Sequence, residues 1–395
     1  MNAETLGWLR SDEGRVLMAG LPPYNPSTAL GVAARLRGQG YSADVVAAAL
    51  SQHRLRSRAI GRLGPEAARL WFTPDGAEQA TRPEVAMRRA ARIAEFGAAH
   101  VADLGCGIGM DSVAFARAGL RVTAYERDAV TAAVARANTE DLRLTGRIEV
   151  IEADVRDADL AAVDAAFVDP ARRRGGRRLQ DPETWSPRFS WVVLLAQRIP
   201  ATAAKVAPGI AHDLPPEGTE TEWVSVDGDL LEACVWFGPL AMPHVRRRAT
   251  VLPTAEQVSD TGLTAPAVGD VGAYLLEPDD AVIRAGLVGH VVERVGGRLV
   301  DSTIAYVTCD RAPATSGLWV TYAVTDVLPF NLKRLRALLR DRQVGAVEVK
   351  KRGSAVEPET LRPQLRLDKD APNTATVVLT RVRGEPTVVL VSRLG

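Results

Sequence analysis

The stretch VADLGCGIGMDSVAFARAGLRVTAYERD, residues 101–128, places Gly105, Gly107 and Gly109 between a predicted strand and a predicted helix. Glycine at such a junction lets the backbone approach a ligand closely, and the start of the helix offers free N–H groups. A dinucleotide site has the spacing GxGxxG, whereas this stretch has GxGxG with Asp103 two residues ahead of it. A carboxylate there repels a pyrophosphate and attracts a cation, so the spacing favours a cationic ligand.

Short apolar segments alternate with helical ones from about His100 onward. The segments "HVADL", "RVTAYE", "IEVIEAD" and "AAFVDP" read as strands, and residues 110–118 and 129–138 read as helices. This alternation predicts a parallel sheet with helices on both faces. The expected fold class is therefore α/β, with a Rossmann-like sheet at its centre.

Four regions are predicted along the chain. Its 395 residues, 46% of them hydrophobic, are enough to bury more than one core. Helical periodicity predicts a helical N-terminal region over 1–95, and the sheet occupies 96–240. Residues 241–317 form a connecting α/β segment without a clear pattern. Residues 318–395 follow a β-α-β-α-β-β order, which predicts a small α+β, ferredoxin-like C-terminal domain.

Charge and cysteine content indicate the cellular environment of the protein but no particular partner. The 49 Lys and Arg residues balance 48 Asp and Glu residues, so overall charge indicates neither a nucleic acid nor a membrane. Cys106, Cys234 and Cys309 are far apart in the sequence, and this spacing supports neither a zinc site nor a disulfide framework. No apolar run approaches the roughly 20 residues of a membrane span. We expect a cytoplasmic protein with no membrane partner; the sequence does not indicate its oligomeric state.

S-adenosylmethionine is the cationic ligand that fits these acids. It carries a sulfonium and an ammonium but no phosphate, so Asp103 is placed to hold the ammonium directly or through water. Glu126, at the end of the second strand, is placed to bind both ribose hydroxyls. Asp154, at the end of the third, is placed to accept from the adenine amino group. Ligands of open α/β sheets bind at these carboxyl ends of the strands.

The motifs "DLGCGIG", "AYERD", "EADV" and "VDPAR" resemble, in this order, the class I S-adenosylmethionine-dependent methyltransferases. The alternatives are an NAD or nucleotide-sugar Rossmann domain, or a structural remnant of one. A closer resemblance, on "EQATRPEVA", "VDPARR", "KVAPG" and "EVKKRGSAVEPETLR", is to a bacterial methyltransferase family with a C-terminal THUMP-like domain. THUMP domains are associated with RNA modification, so this resemblance implies an RNA substrate, tRNA or rRNA.

The resemblance also supplies the candidate site. The expected donor-binding residues are Thr81, Asp103, Gly105, Cys106, Gly107, Gly109, Glu126, Arg127, Asp154, Val155 and Asp169. The expected catalytic residues are Asp169, Pro170 and Arg172. No metal site is expected. Thr81 has a second interpretation, as the N-cap of a helix with proline at its first position.

The catalytic motif departs from that of the amino-directed methyltransferases, which read (D/N)PP(Y/F) at this strand end. Asp169 and Pro170 match, but Ala171 and Arg172 stand where the second proline and the aromatic residue are expected. Base stacking must then come from elsewhere, and three nearby aromatic residues are candidates: Trp185, Phe189 and Trp191. Arg172 is itself a candidate to stack on a base or pair with a phosphate.

Three functions remain open at this point. The first is methylation of a nitrogen of an RNA base, and the second is methylation of a small molecule or protein. The third is a non-catalytic RNA-binding protein that retains a cofactor pocket. Two basic segments, "RRRGGRRLQDP" at 172–182 and "VKKRG" at 349–353, are either RNA contacts or solvated surface.

Overall fold

A computed structural model describes residues 2–174, 177–260, 262 and 265–394 of the chain, with backbone only for Arg173–Arg174 and Arg177–Arg178. The chain divides into two compact units. Unit 1 comprises Met1–Val206, Pro216–Thr219 and Cys234–Met242, and unit 2 comprises Ala207–Pro215, Glu220–Ala233 and Pro243–Gly395. No helix within the described ranges is long and apolar enough to cross a membrane.

Unit 1 begins with helices that carry clear start signals. Asn2 forms a capping box with Thr5, and the side chains of Ser11, Ser42 and Thr73 each accept a hydrogen bond from a backbone N–H in the first turn of their helix. These helices are α1 Ala3–Arg10, α2 Asp12–Ala19, α3 Ala29–Gly38, α4 Ala43–Leu63, α5 Pro74–Gln79 and α6 Pro83–Glu95. The predicted helical region is thus present.

A parallel sheet follows in unit 1, as the alternating pattern predicts. The elements of this part of the chain are β1 His100–Leu104, α7 Met110–Arg117, β2 Arg121–Glu126, α8 Ala129–Asp141, β3 Ile148–Glu152, β4 Ala165–Val168, β5 Arg173–Arg174, β6 Arg177–Arg178, α9 Phe189–Arg198 and β7 Thr202–Val206. Of these strands, β5 and β6 pair with each other in a separate antiparallel sheet. Five strands lie in the order β7-β4-β1-β2-β3, each parallel to its neighbour. The chain reverses its strand order at β1 and β4, where doubly wound sheets form their ligand crevice.

Two hydrophobic cores in unit 1 meet at the glycine stretch. One packs α6 and α7 against the sheet and includes Phe115 and Phe167. The other joins the N-terminal helices to Ile108 of the glycine stretch and to Val134 and Ala137 of α8. The N-terminal helices therefore share a hydrophobic core with the glycine stretch.

Unit 2 holds the segment in which the sequence shows no clear pattern. Its elements are β8 Glu220–Val226, β9 Asp229–Trp236, β10 Arg247–Leu252, β11 Glu256–Ser259, β12 Tyr274–Pro278, α10 Asp280–Arg284, α11 Val288–Val295, β13 Arg298–Asp301, β14 Ile304–Cys309, β15 Trp319–Pro329, α12 Leu332–Asp341, β16 Val344–Lys351, α13 Pro358–Leu365, β17 Asn373–Val382 and β18 Glu385–Arg393. The part of β9 up to Ala233 belongs to unit 2, and the part from Cys234 belongs to unit 1. Short 3-10 turns in the chain span Pro65–Ala68, Val155–Asp157, Pro182–Thr184 and Gly238–Leu240.

The C-terminal order β-α-β-α-β-β is confirmed from β15 to β18. These strands join β12, β13 and β14 in one seven-stranded sheet, in the order β13-β14-β12-β15-β18-β17-β16. β15 pairs directly with β12, and α12 and α13 pack on the sheet through Leu335, Leu339, Leu361 and Leu365. The α/β fold class is confirmed, while the boundaries at 95, 240 and 317 stay predictions.

Candidate active site

A cavity of about 700 Å³ opens at the carboxyl ends of β1, β2, β3 and β4. Such a volume suits a cofactor-sized ligand. The predicted residues that line it are Thr81, Gly105, Cys106, Gly107, Glu126, Arg127, Asp154, Val155, Asp169 and Pro170. Asp103, Gly109 and Arg172 are not among its lining residues. The structure therefore brings most of the predicted residues together around one space.

The glycine loop needs glycine at two positions for different reasons. Gly105 has φ +91°, and a Cβ there would stand 2.7 Å from the backbone oxygen of Asp169. Gly107 has φ +56° and no neighbour within 4 Å of a Cβ position, so a side chain there would be strained but not blocked by protein. Gly105 thus allows the loop to pass against the Asp169 backbone, and Gly107 keeps its backbone accessible.

Glu126 is fixed by the backbone around it. One carboxylate oxygen accepts from the N–H of Gly107 at 3.2 Å, and the other accepts from the N–H of Asp128 at 2.9 Å. Each oxygen of a carboxylate has two acceptor positions, so one remains on each. The side chain is therefore held ready to accept two further donors, which is what a pair of ribose hydroxyls presents.

Asp154 is bound by its own neighbour. Its carboxylate accepts from the Arg156 guanidinium through two contacts of 2.8 Å and from the Arg156 backbone N–H at 2.9 Å. These bonds lower the pKa of Asp154 to about 2. Arg127 donates to the hydroxyl of Ser186 at 3.0 Å across the same opening. Asp154 is thus a fixed, ionised carboxylate at the cavity wall.

Asp103 lies beneath the loop and is completely buried. Its Oδ2 accepts from the Ser112 hydroxyl at 2.5 Å, while Oδ1 has no hydrogen-bond partner among the residues that the structure describes. Burial, and then the nearby Asp111 carboxylate, raise the pKa of Asp103 to about 8. The side chain does not line the cavity, and its contact with an ammonium, directly or through water, stays a prediction.

Asp169 lies at the end of β4, with Pro170 beside it on the cavity wall. Lys205, on β7, donates to Asp169 Oδ2 at 2.9 Å and to the Thr81 hydroxyl at 3.1 Å. The Lys205 side chain is 9% exposed and that of Asp169 is 27% exposed. Sequence reasoning missed Lys205, although the adjacent strand of a parallel sheet brings it to the same edge.

Thr81 is not a helix cap. The N-cap position of α6 belongs to Arg82, and Thr81 is instead buried beside the cavity. Its hydroxyl donates to Asp111 Oδ2 at 2.7 Å, and Asp111 also forms a buried ion pair with Arg89. The N-cap interpretation was therefore wrong, because Thr81 bonds to side chains of other elements rather than to the first turn of α6.

Arg172 lies next to Trp185, with its guanidinium carbon 5.9 Å from the ring centroid. Trp185 and Phe189 are buried, whereas Trp191 is half-buried. Neither Trp185 nor Phe189 is therefore available to stack on a base in this conformation. Most of the basic stretch after Arg172 lies outside the residues whose side chains the structure describes.

The N-terminal region contributes wall residues that sequence reasoning missed. They are Ser51, Gln52, Phe72, Thr73, Pro74, Asp75 and Gly76, whereas Gln79, which also lines the cavity, belongs to the motif EQATRPEVA on which the family resemblance rests. Gln52 exchanges two hydrogen bonds with the backbone of Phe72, at 2.6 and 3.0 Å. A Cβ at Gly76 would overlap the side chain of Ile108 in the glycine loop. These residues follow no recognisable motif, and only the tertiary packing of α5 on the loop reveals them.

Cys106, Cys234 and Cys309 are buried, and none of them is in a disulfide. Burial, followed by the carboxylates of Asp103 and Glu126, raises the pKa of the Cys106 thiol well above its usual range. Within the described part of the chain, no group of three or more His, Cys, Asp or Glu residues is arranged to hold a metal ion.

The basic segment at 349–353 is engaged within unit 2. Lys350 pairs with Glu277 at 2.8 Å, Lys351 pairs with Glu357 at 2.5 Å, and Arg352 lies 3.8 Å from Glu277. These cations are already balanced by carboxylates, so the solvated-surface interpretation explains them without an RNA.

Three family models match the sequence. A model described as a methyltransferase domain matches residues 101–170, one described as THUMP domain-like matches 320–393, and a domain of unknown function (DUF8688) matches 2–59. The first match covers the glycine loop through Pro170. The second begins within β15 and ends with β18.

Full-length relatives extend the similarity beyond single domains. Uncharacterized S-adenosylmethionine-dependent methyltransferases of Mycobacterium tuberculosis, strains CDC 1551 / Oshkosh and ATCC 25618 / H37Rv, are 36% identical over 341 residues, 83% of this chain and 90% of each relative. A crystal structure provisionally assigned as a methyltransferase from Porphyromonas gingivalis W83 superposes with a TM-score of 0.74 at 20% identity, covering 99% of this chain and 97% of that one. The structural likeness concerns the fold alone.

Proposed function

This chain belongs to the S-adenosylmethionine-dependent methyltransferases, and on that basis we propose that it methylates a nitrogen of a base in tRNA or rRNA. The observation that carries the proposal is the position of Asp169 and Pro170, which line the same cavity as the glycine loop. A hydrogen-bond acceptor at that edge is what a nitrogen nucleophile needs, because it orients the N–H and leaves the lone pair directed at the methyl group.

The residues around the cavity fit the donor. When bound, S-adenosylmethionine supplies an activated methyl group on a sulfonium. Glu126 has one free acceptor position on each oxygen for the ribose hydroxyls. Asp154 is ionised at the cavity wall and retains acceptor capacity beyond its bonds to Arg156. A wall of carboxylates also favours a cationic ligand over a phosphorylated one.

Asp169 is proposed to act on the acceptor nitrogen. Its Oδ2 accepts from Lys205, while no hydrogen bond to Oδ1 occurs among the described residues, so Oδ1 is available to a target N–H. Pro170, the next residue, has no backbone N–H and presents its carbonyl as an acceptor. Together they present two acceptors to an amino group.

RNA is proposed as the substrate on the strength of the C-terminal domain. Residues 320–393 match a THUMP domain-like model, and THUMP domains are associated with RNA modification. The helix α12 exposes Lys333, Arg334 and Arg340 on the surface of that domain. Exposed cations on one helix are suited to the phosphodiester backbone of RNA, because each phosphate contact releases counterions and so favours binding.

Nucleoside mass spectrometry tests the substrate. Total tRNA and rRNA from a strain that lacks this gene should lose one methylated nucleoside present in its parent, and the lost species identifies the base and the atom. A strain that carries Asp169→Ala in place of the gene should lose the same nucleoside. An unchanged RNA modification profile would reject RNA and leave a small-molecule or protein acceptor.

The role of Asp169 is tested by single-turnover rates at saturating donor. If Asp169 only accepts a hydrogen bond, Asn supplies an oxygen in the same place, and Asp169→Asn should slow transfer by no more than about tenfold, whereas Asp169→Ala should slow it further. A loss for Asn as large as that for Ala would instead assign Asp169 as a general base toward a ring nitrogen.

A further inference from the structure

Lys205 and Asp169 form a pair of opposite charges at the edge of the cavity. The Lys205 ammonium contacts Asp169 Oδ2 at 2.9 Å, and its side chain is only 9% exposed. A second bond, to the Thr81 hydroxyl at 3.1 Å, fixes the ammonium from the other side. Lys205 is therefore held at two points, and it cannot leave Asp169 without breaking a buried contact.

The support extends one step further into the core. Thr81 receives the Lys205 bond because its own proton is directed at Asp111 Oδ2, 2.7 Å away. Asp111 is oriented in turn by its buried ion pair with Arg89. Removing one member of such a buried pair is costly because it leaves the other charge uncompensated. The chain of contacts therefore sets both the position and the charge environment of Asp169.

We infer that Lys205 is a positioning residue for methyl transfer: it occupies one oxygen of Asp169, presents the other to the acceptor nitrogen, and neutralises the carboxylate beside the cationic donor. This inference deepens the proposed function and rests on Asp169 facing the acceptor. It does not depend on the acceptor being RNA.

The charge balance has a consequence for ligand affinity. S-adenosylmethionine carries a sulfonium that S-adenosylhomocysteine lacks, and the other charges of the two ligands are the same. With Lys205 present, the pair is neutral and discriminates little between them. An unpaired carboxylate would favour the sulfonium, and an unpaired ammonium would disfavour it.

Calorimetric titration of both ligands into the full-length protein tests this. Lys205→Met should raise the affinity ratio of S-adenosylmethionine to S-adenosylhomocysteine by about threefold or more. Asp169→Asn should lower the ratio, and the double variant should return to within about twofold of the wild type. Lys205→Arg, which keeps the charge, should also stay near the wild-type ratio. Lys369→Met, at an exposed position, is the control for net charge.

Transfer rates supply the second measurement. With labelled donor and total RNA from the deletion strain, Lys205→Met should slow single-turnover transfer roughly 10- to 100-fold in the wild-type background and less than about threefold in the Asp169→Asn background. A purely structural role would reduce both backgrounds equally and weaken both ligands together.

Two results would overturn the inference. One is an affinity ratio that does not change in Lys205→Met, and the other is a ratio that rises equally with and without Asp169. If the wild-type protein transfers no label to RNA, the RNA proposal fails, but the affinity ratios still decide the role of Lys205. A variant that no longer binds S-adenosylhomocysteine is replaced in the comparison by Lys205→Arg and Asp169→Asn, because the first should keep the wild-type ratio and the second should lower it.

Discussion

Asp103 should make the ligand-free protein less stable as the pH rises. Burial raises its pKa to about 8, whereas the same group in an unfolded chain titrates near 4. Between these values the native state holds one proton more than the unfolded state. Between these two pKa values, this single group should therefore lower the free energy of unfolding by about 1.4 kcal/mol for each unit by which the pH rises.

This loss of unfolding free energy should appear as a lower melting temperature. From about pH 5.5 to about pH 7.5, the contribution of Asp103 amounts to roughly 2.5 kcal/mol. For a folding unit of on the order of 200 residues, this corresponds to a shift of about 5 to 10 °C. The Asp103→Asn variant, which cannot ionise, should lose this part of the pH dependence, whatever constant offset the amide introduces.

Thermal unfolding of both proteins over this pH range, without ligand, is the assay. Only the difference between the two pH profiles matters, because the other titrating groups are common to both. Asp157→Asn, at an exposed position close to the same strand ends, is the matched control and should follow the wild type. Parallel profiles for the wild type and Asp103→Asn would show that Asp103 is ionised in the native state and would refute the argument.

The remaining predictions concern the donor and the RNA. Glu126→Ala should weaken S-adenosylhomocysteine binding in calorimetric titration by about 10- to 100-fold, through loss of hydrogen bonds to a charged acceptor, and unchanged affinity would move the ribose elsewhere. Combined replacement of Lys333, Arg334 and Arg340 by Ala should reduce the slope of log affinity for tRNA against log salt by roughly 0.7 to 0.9 for each phosphate that these side chains neutralise, without affecting donor binding. An unaltered slope would remove α12 from the RNA surface.

The parts of this molecule that can be predicted from the sequence are those that depend on patterns of neighbouring residues. The strand and helix alternation fixes the parallel sheet, and the acids at its strand ends, such as Glu126 and Asp169, fall at one edge because parallel strands end together. Lys205 and Gln52 escaped notice because their roles depend on contacts over 36 and 20 residues of sequence, respectively. No periodicity marks such pairs.

The C-terminal sheet likewise combines a predictable local order of elements with a strand pairing that the sequence does not predict. The β-α-β-α-β-β order of the last 80 or so residues is local and was predictable, whereas the pairing of β15 with β12 joins Trp319 to Pro278 across a segment that contains five glycines. Turn residues of this kind obscure the short strands between them. The family resemblance rests on motifs between Glu78 and Gly209 and between Glu348 and Arg362, and it supplies no pattern for this middle segment.

The packing of α5 on the glycine loop bears on how the protein is made. Gly76 lies against Ile108, and the N-terminal helices share their core with Val134 and Ala137. During synthesis the first 80 or so residues leave the ribosome before the loop and α8 exist, so the apolar surface that packs on Ile108, Val134 and Ala137 stays uncovered until then. A truncated gene that begins at the sheet would, conversely, expose Ile108 to water. The N-terminal helices and the sheet are thus expected to be inherited together and to tolerate few exchanges between relatives.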